Sequence, residues 1–339
     1  MTERTPAALR DPLPAVPVRQ AGALRRTMSI DIGPRRGFSA ALDMTGLARD
    51  IRTGPGPNAI SDDGGGDVTV LAEASVAAGF DPSRKLISLE TTPGAVWVTE
   101  LIGARAGGGF RRHLAGVVPE AEAGSLLRQV LDDMPAAALI SGYAWMRLAR
   151  REGHDPGTLT PPDLLARMTD LCSGWRAGGI AVQSIEANHG LPMQDCPPAP
   201  VDDGSDPWAW HATGTLDRDW MRRRRLMDVM VDRTGGFSLW AMFRDTVGEG
   251  DGAEVVLHEY AVEASGSAGV IDEIEAEPRV LPFPECPLAA AAVGDLVGRE
   301  LAELSRSVPD VLAGIRSCTH LNDLLRALGG VADLVARAA

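Results

Sequence analysis

The sequence predicts an α+β protein: two tandem, diverged copies of an antiparallel-sheet-plus-helices module, related by a pseudo-two-fold axis and joined by a helical connector. Three observations predict it. An ordered internal repeat runs through the chain, apolar residues change from strand to helix spacing along each half, and a helical stretch between the halves has no counterpart.

The repeat carries the most weight. Arg25-Arg26-Thr27-Met28-Ser29-Ile30 matches Arg224-Arg225-Leu226-Met227-Asp228-Val229, and Gly37-Phe38-Ser39 matches Gly236-Phe237-Ser238 at the same offset of 199 residues. Arg49-Asp50 then matches Arg244-Asp245, VTVLAEASVAA (68–78) matches VVLHEYAVEA (255–264), VTELIGAR (98–105) matches VGDLVGRE (293–300), and SLLRQVLDDM (125–134) falls opposite HLNDLLRALG (320–329). A single match arises by chance; six in one order are hard to obtain that way.

Within the first copy, Met28 to Ile32 and Phe38 to Met44 flank Pro34 and Gly37, a hairpin signal. Val68 to Ala78 and Leu86 to Glu90 read as two more strands, Val98 to Ala104 and Leu126 to Met134 as helices. Little of the pattern is apolar on both sides, so helices are expected on one face of the sheet. The segments are then an arm without structure (1–22), a first copy (23–135), a helical connector with a Pro-rich strap (136–212) and a second copy (213–339). In the connector, Ala136 to Arg150 has helical spacing, and Thr160-Pro161-Pro162-Asp163 opens a helix expected to reach Trp175.

Composition excludes several functions. A net charge of −13 opposes nucleic-acid binding, and no apolar stretch approaches the ~20 residues of a membrane span. The N-terminus lacks the apolar stretch of a signal peptide, so a cytoplasmic location and reduced thiols are expected for Cys172, Cys196, Cys286 and Cys318. Lys85 is the only lysine, and neither phosphate-loop, dinucleotide nor HExxH spacing occurs. No organic cofactor is expected. Partners are a small-molecule substrate and a possible second copy of the chain.

Candidate chemistry gathers in the second copy. Cys318-Thr319-His320 opens the last amphipathic stretch, with Thr319 a plausible N-cap and the Cys318 thiol placed for a lowered pKa. The bland alternative is a buried thiol beside a capping histidine. His258 and Tyr260 share one side of a strand, and the repeat puts Ala72, Ala74, Ala123 and Ser125 opposite His258, Tyr260, Cys318 and His320. Cys286 would complete a two-Cys, two-His zinc set with Cys318, His320 and His258, although the spacing does not favour it. The run Arg222 to Arg225 is either an anion site or a solvated strand edge, and the match to Arg25 and Arg26 favours a structural role. Trp208, Trp210 and Trp240 crowd one region, as a pocket lining or as a packing seam. His189, Gln194, Asp195 and Cys196 form a candidate lid, while His113, His154 and His211 are expected to be exposed.

MRRRRLMDV, AMFRDT, VLHEYAV, EPRVLPFPECP, SCTHLNDLLRAL and, in the connector, QDCPPAP together resemble the long bacterial members of domain-of-unknown-function family 2889. The resemblance implies no activity by itself. It marks Arg244, Asp245, His258, Glu259, Arg279, Cys286, Cys318, His320 and Asn322, and links long members to bacterial aromatic catabolism. The function expected is a small-molecule lyase or related acid–base catalyst without organic cofactor, acting on an aromatic, phenylpropanoid-like compound. His320 and His258 would move protons, Tyr260 donate one, Cys318 act as nucleophile or polarised donor, Arg244 and Arg279 clamp an anion, and Trp208, Trp210 and Trp240 line the pocket. The alternatives are a non-catalytic ligand-binding or scaffold protein, or a zinc-stabilised domain.

Overall fold

The computed structural model describes residues 11–35, 41–55, 67–154, 163–187 and 206–338, with 190, 191, 196, 200, 201 and 204 between them. Alternating patterns give eight strands: β1 (Leu24–Pro34), β2 (Leu42–Thr53), β3 (Val68–Phe80), β4 (Leu86–Thr92), β5 (Met221–Val231), β6 (Gly236–Gly250), β7 (Ala253–Ser267) and β8 (Val270–Val280). They form one antiparallel sheet in the order β4-β3-β2-β1-β5-β6-β7-β8. Both hairpin series run outward from the central β1–β5 pair, so each half contributes four strands to a continuous sheet.

The helices are α1 (Phe110–Val117), α2 (Leu126–Arg151), α3 (Leu164–Met168), α4 (Ile180–Glu186), α5 (Leu304–Val311), α6 (Thr319–Ala327) and α7 (Val331–Ala338). α2 packs on β1, β2 and β3 over a core containing Met28, Ile30, Met44, Val76, Val130 and Met134. Its close approach requires Gly46, where a Cβ would stand 2.7 Å from Val130 Cγ1. A second core lies under α5 to α7, with Val229, Phe243, Tyr260, Leu304 and Leu321.

The arginine run sits in β5 at the middle of the sheet, not at an edge. Strand alternation sends Arg223 and Arg225 to the helical face, where both reach Asp323, and Arg222 and Arg224 to the outer face, where they meet Asp31 and Glu254. All four are buried and paired, because both faces are covered at that point. Outer-face cover comes from residues expected to be an unstructured arm. The Leu13 amide donates to Glu259 (2.6 Å), Val16 N–H to Val201 O (2.8 Å), and Arg19 holds Asp206 bidentately at 2.6 and 2.9 Å. Hydrogen-bonding to buried outer-face groups orders 11–22 despite its proline content; residues 1–10 lie outside the described set.

Other boundaries differ from the sequence reading. The stretch Val98 to Ala104 is not an α-helix; a 3₁₀ turn, Val96–Leu101, ends before Gly103, which has positive φ. The helices expected over 126–134 and 136–150 are one, continuing through Pro135. The helix expected to reach Trp175 stops at Met168, since Asp170 takes a left-handed φ of 62°. The strand expected over 38–44 is β2, Leu42–Thr53, nine residues longer at its far end. The helix start at Thr160, Phe38, and His189, Gln194 and Asp195 of the candidate lid lie outside the described residues. His211 is buried rather than exposed: its ring contacts Thr27 Oγ1 (2.8 Å) and Ser29 Oγ (2.6 Å), and burial pulls its pKa down to about 3. No helix among the described residues is long and apolar enough to cross a membrane.

Candidate functional site

The site is built on three strands and three helices. Asp245 of β6 stands opposite His258 of β7, at the point where the ladder shifts register. His258 Nδ1 lies 3.2 Å from Asp245 Oδ2, and a carboxylate accepts, so the ring donates from Nδ1. The neutral ring then carries its lone pair at Nε2, which is buried with no hydrogen-bond partner. In the other half, Ala72 faces Asp50 in the corresponding hairpin.

Arg223 of β5 holds Asp245 from the other side, Nε to Oδ1 at 2.8 Å and Nη2 to Oδ2 at 3.1 Å. Burial pushes the Asp245 carboxyl up, but the Arg223 charge and the hydrogen bonds from His258 and Arg223 outweigh it and hold the group well below the usual range.

His320 sits in the first turn of α6. Its ring stacks on His258, centroids 4.1 Å apart and 28° from parallel, and on Phe243 at 6.2 Å. Burial, then the neighbouring His258, pull its pKa well below the ordinary histidine value. The ring is therefore neutral at neutral pH and open to accept a proton. The edge of Tyr143 from α2 meets His258 at 4.7 Å.

α6 also supplies Asp323, the hub of a charge network. Arg223 Nη1 (2.6 Å), Arg225 Nη2 (2.8 Å) and Arg111 of α1 converge on it. Burial opposes its ionisation, but Arg111, Arg225 and Arg223 together hold its pKa low. Asp133 of α2 meets Arg225 at 2.7 Å, yet burial and the nearby Asp323 push its pKa up to about 6.

Cys318 and Tyr260 lie beside this core, with corrected chemistry. Cys318, not Thr319, is the extended N-cap residue of α6, and its side chain makes no capping bond. Burial pushes its thiol pKa up to about 11, opposite to the lowering expected at a helix start. Its Sγ is 3.8 Å from His320 Nδ1. The Tyr260 hydroxyl donates to Cys286 O at 3.1 Å, and burial raises its pKa well above the usual value.

His320 and Asp323 border a cavity of about 630 Å³. α2 gives it an apolar wall of Pro135, Leu139 and Ile140; Arg84 and Arg326 stand on its rim with Gly107 to Gly109.

His258, Tyr260, Cys318 and His320 are thus gathered on the helical face, but the tryptophans and the two expected anion-binding arginines are not. Arg244 alternates with Asp245 along β6 and so points to the outer face, paired with Glu259 and donating to Leu13 O (2.7 Å). Arg279 pairs with Glu277 at 2.9 Å. Trp208 receives the Arg49 guanidinium 5.0 Å from its ring, and Trp210 packs with Val16, Leu226 and Met242, with Trp240 against the same cluster. The tryptophans form a seam under the N-terminal segment, with the sheet between them and the histidines.

As a metal set, Asp245, His258 and His320 each offer a ligand atom, all within 4.8 Å of one another. Among the described residues Cys286 and Cys318 do not join this grouping, unlike in the less favoured zinc alternative. From the sequence Arg223 stood only within the run Arg222 to Arg225, and Asp323, Tyr143, Arg84 and Arg326 had no role. Only Asp245 carried a signal, the Arg-Asp pair matched in the repeat; the others converge from separate elements.

No curated protein and no solved structure matches the chain. Residues 221–333, which hold β5 to β8 and most of the residues around His258 and His320, match the family described as Protein of unknown function (DUF2889).

Proposed function

We propose that this chain is a small-molecule enzyme that moves protons with paired histidines and needs no organic cofactor, a lyase or related catalyst acting on an aromatic, phenylpropanoid-like compound. The observation that carries it is the Arg223–Asp245–His258 chain ending in an unpartnered Nε2, stacked against a neutral His320 that borders a cavity. His320 is the group nearest substrate and acts as base. The charge it gains is met by Asp245 and Asp323, both of which favour its protonated form. The His258 ring, stacked 4.1 Å away, opposes the charge on His320.

We also propose that the two halves are diverged copies. Thr27 and Leu226, matched at the 199-residue offset, are paired directly opposite each other across β1 and β5, where a two-fold axis relating copies would pass. Such an origin accounts for one half carrying the histidines while Ala72 and Ser125 replace them in the other.

The test is turnover. The full chain is incubated with a panel of phenylpropanoid acids and alcohols, and products are followed by mass spectrometry. Conversion is expected in the wild type and in Trp240→Phe, and a loss of at least ~100-fold in His320→Gln and His258→Asn. Folded histidine variants that convert substrate at the wild-type rate would overturn the reading. A second reading, metal-assisted chemistry at Asp245, His258 and His320, is favoured by their 4.8 Å grouping and opposed by the hold of Arg223 on Asp245. Turnover abolished by a chelator and restored by one divalent ion would select it.

A further inference from the structure

We propose that the cavity beside His320 takes an amphiphilic anion: an apolar body seated on α2, with one carboxylate or phosphate group held between Arg84 and Arg326. This rests on the acid–base reading for the use made of the ligand, but the binding stands on separate residues.

The charges around the cavity divide into two kinds. Arg111 and Arg223 are committed to carboxylates, Asp132 and Asp323 for the first, Asp245 and Asp323 for the second. Arg84 and Arg326 are not. Arg84 Nη1 and Arg326 Nε are buried and have no hydrogen-bond partner, and neither side chain makes an ion pair among the described residues. Among the described arginines lining the cavity, Arg111 and Arg223 are matched by acid and these two guanidinium groups are the exception. Burial pulls both below the ordinary arginine pKa, in Arg84 with no opposing carboxylate and in Arg326 with Asp132 and Asp323 only partly offsetting it. An arginine keeps its charge in proteins, so each is a desolvated cation that an incoming anion would complete.

The two come from different halves. Arg84 lies in the turn before β4, held in the left-handed region at φ 66°, a conformation costly for a residue with a side chain and one that local hydrogen bonds to Asp81 and from Ala106 maintain. Arg326 is on the last turn of α6, two turns beyond His320. An anion bridging them would span the halves, with the rest of the molecule toward His320.

The opposite wall is apolar. Leu139 is 66 % exposed in the middle of α2 and, with Pro135 and Ile140, faces the same cavity. A large aliphatic side chain left uncovered beside two unmatched cations fits a ligand with an apolar part and a charged end. The volume of about 630 Å³ suits a molecule of one or two rings.

Isothermal titration of the full chain with 3-phenylpropanoate, phenyl phosphate and neutral 3-phenylpropan-1-ol tests this. One or both anions are expected to bind at least ~10-fold more tightly than the alcohol, and the preferred anion identifies the group recognised. Arg84→Gln and Arg326→Gln should each reduce that preference severalfold with melting temperatures kept, whereas Arg84→Lys and Arg326→Lys should retain part of it. Equal affinity for alcohol and acids, no saturable binding of either anion, or a preference unchanged in both Gln variants would overturn the proposal. If the anions bind but no compound is turned over, the acid–base reading fails and this one stands.

Discussion

The His320 ring lies 4.1 Å from that of His258, centroid to centroid, while His258 in turn points its Nδ1 at Asp245. One ring is fixed by a buried carboxylate and the other meets the cavity, so the charge on either governs the other.

This coupling sets an acid response. His320 and His211 both have pKa values lowered by burial, His211 to about 3. Below the ordinary histidine value of ~6.5 the unfolded chain binds protons that the folded chain refuses, so stability is lost as pH falls from there. For the buried His211 alone the slope approaches ~1.4 kcal/mol per pH unit. Urea titrations at pH 7.5, 6.5, 5.5 and 4.5 should show this fall, and His320→Gln should make it shallower. An unchanged slope in that variant would show that His320 is protonated in the native state.

Asp133 has the opposite sign. Its pKa is raised to about 6, so in the folded chain it takes up a proton before the unfolded chain does, and its contribution to stability grows as pH falls from ~6 towards ~4. Asp133→Asn should therefore be as stable as the wild type or more so at pH 7.5, and lose that advantage by pH 4.5. A variant less stable by more than about 2 kcal/mol at pH 7.5 would assign Asp133 to the network as a required counter-charge for Arg225.

Asp245 is such a required group. Asp245→Asn removes the charge from a fully buried partner of Arg223 and is expected to cost about 3–5 kcal/mol, visible as a lower urea midpoint. Glu277→Gln on β8, at a partly exposed pair with Arg279, should cost under about 1 kcal/mol.

The thiols should be slow. Cys172, Cys286 and Cys318 are buried with pKa values raised by burial, whereas Cys196 is half-buried. Iodoacetamide at pH 7.5 should label Cys196 first, and the other three on the timescale of unfolding. Rapid native labelling of Cys318 would mean that it is ionised beside His320, the arrangement of an activated nucleophile.

The sequence by itself determined the class, strands such as β3 and β4, and the half that carries the histidines. Period-two runs specify strands wherever a face is buried, and β3 and β4 fall where alternation put them. His258 and Tyr260 share a face for the same reason. The resemblance to the family also held over residues 221–333. Tertiary structure alone decided what those residues meet. Alternation says that Asp245 and Arg244 point apart, but not which face the helices cover; that choice puts Asp245 with His258 and sends Arg244 and the tryptophans to the seam under residues 11–20. Composition read that segment as an arm because proline and polar residues build no core of their own, yet buried Glu259 and half-buried Asp206 supply the partners that order it. The Cys318 thiol shows the same limit. A position before a helix lowers a pKa only where solvent or charge can stabilise the thiolate, and burial, with Cys172 nearby, reverses the sign. Whether a residue is buried depends on elements distant in the chain, and for ionisable groups burial is the larger influence.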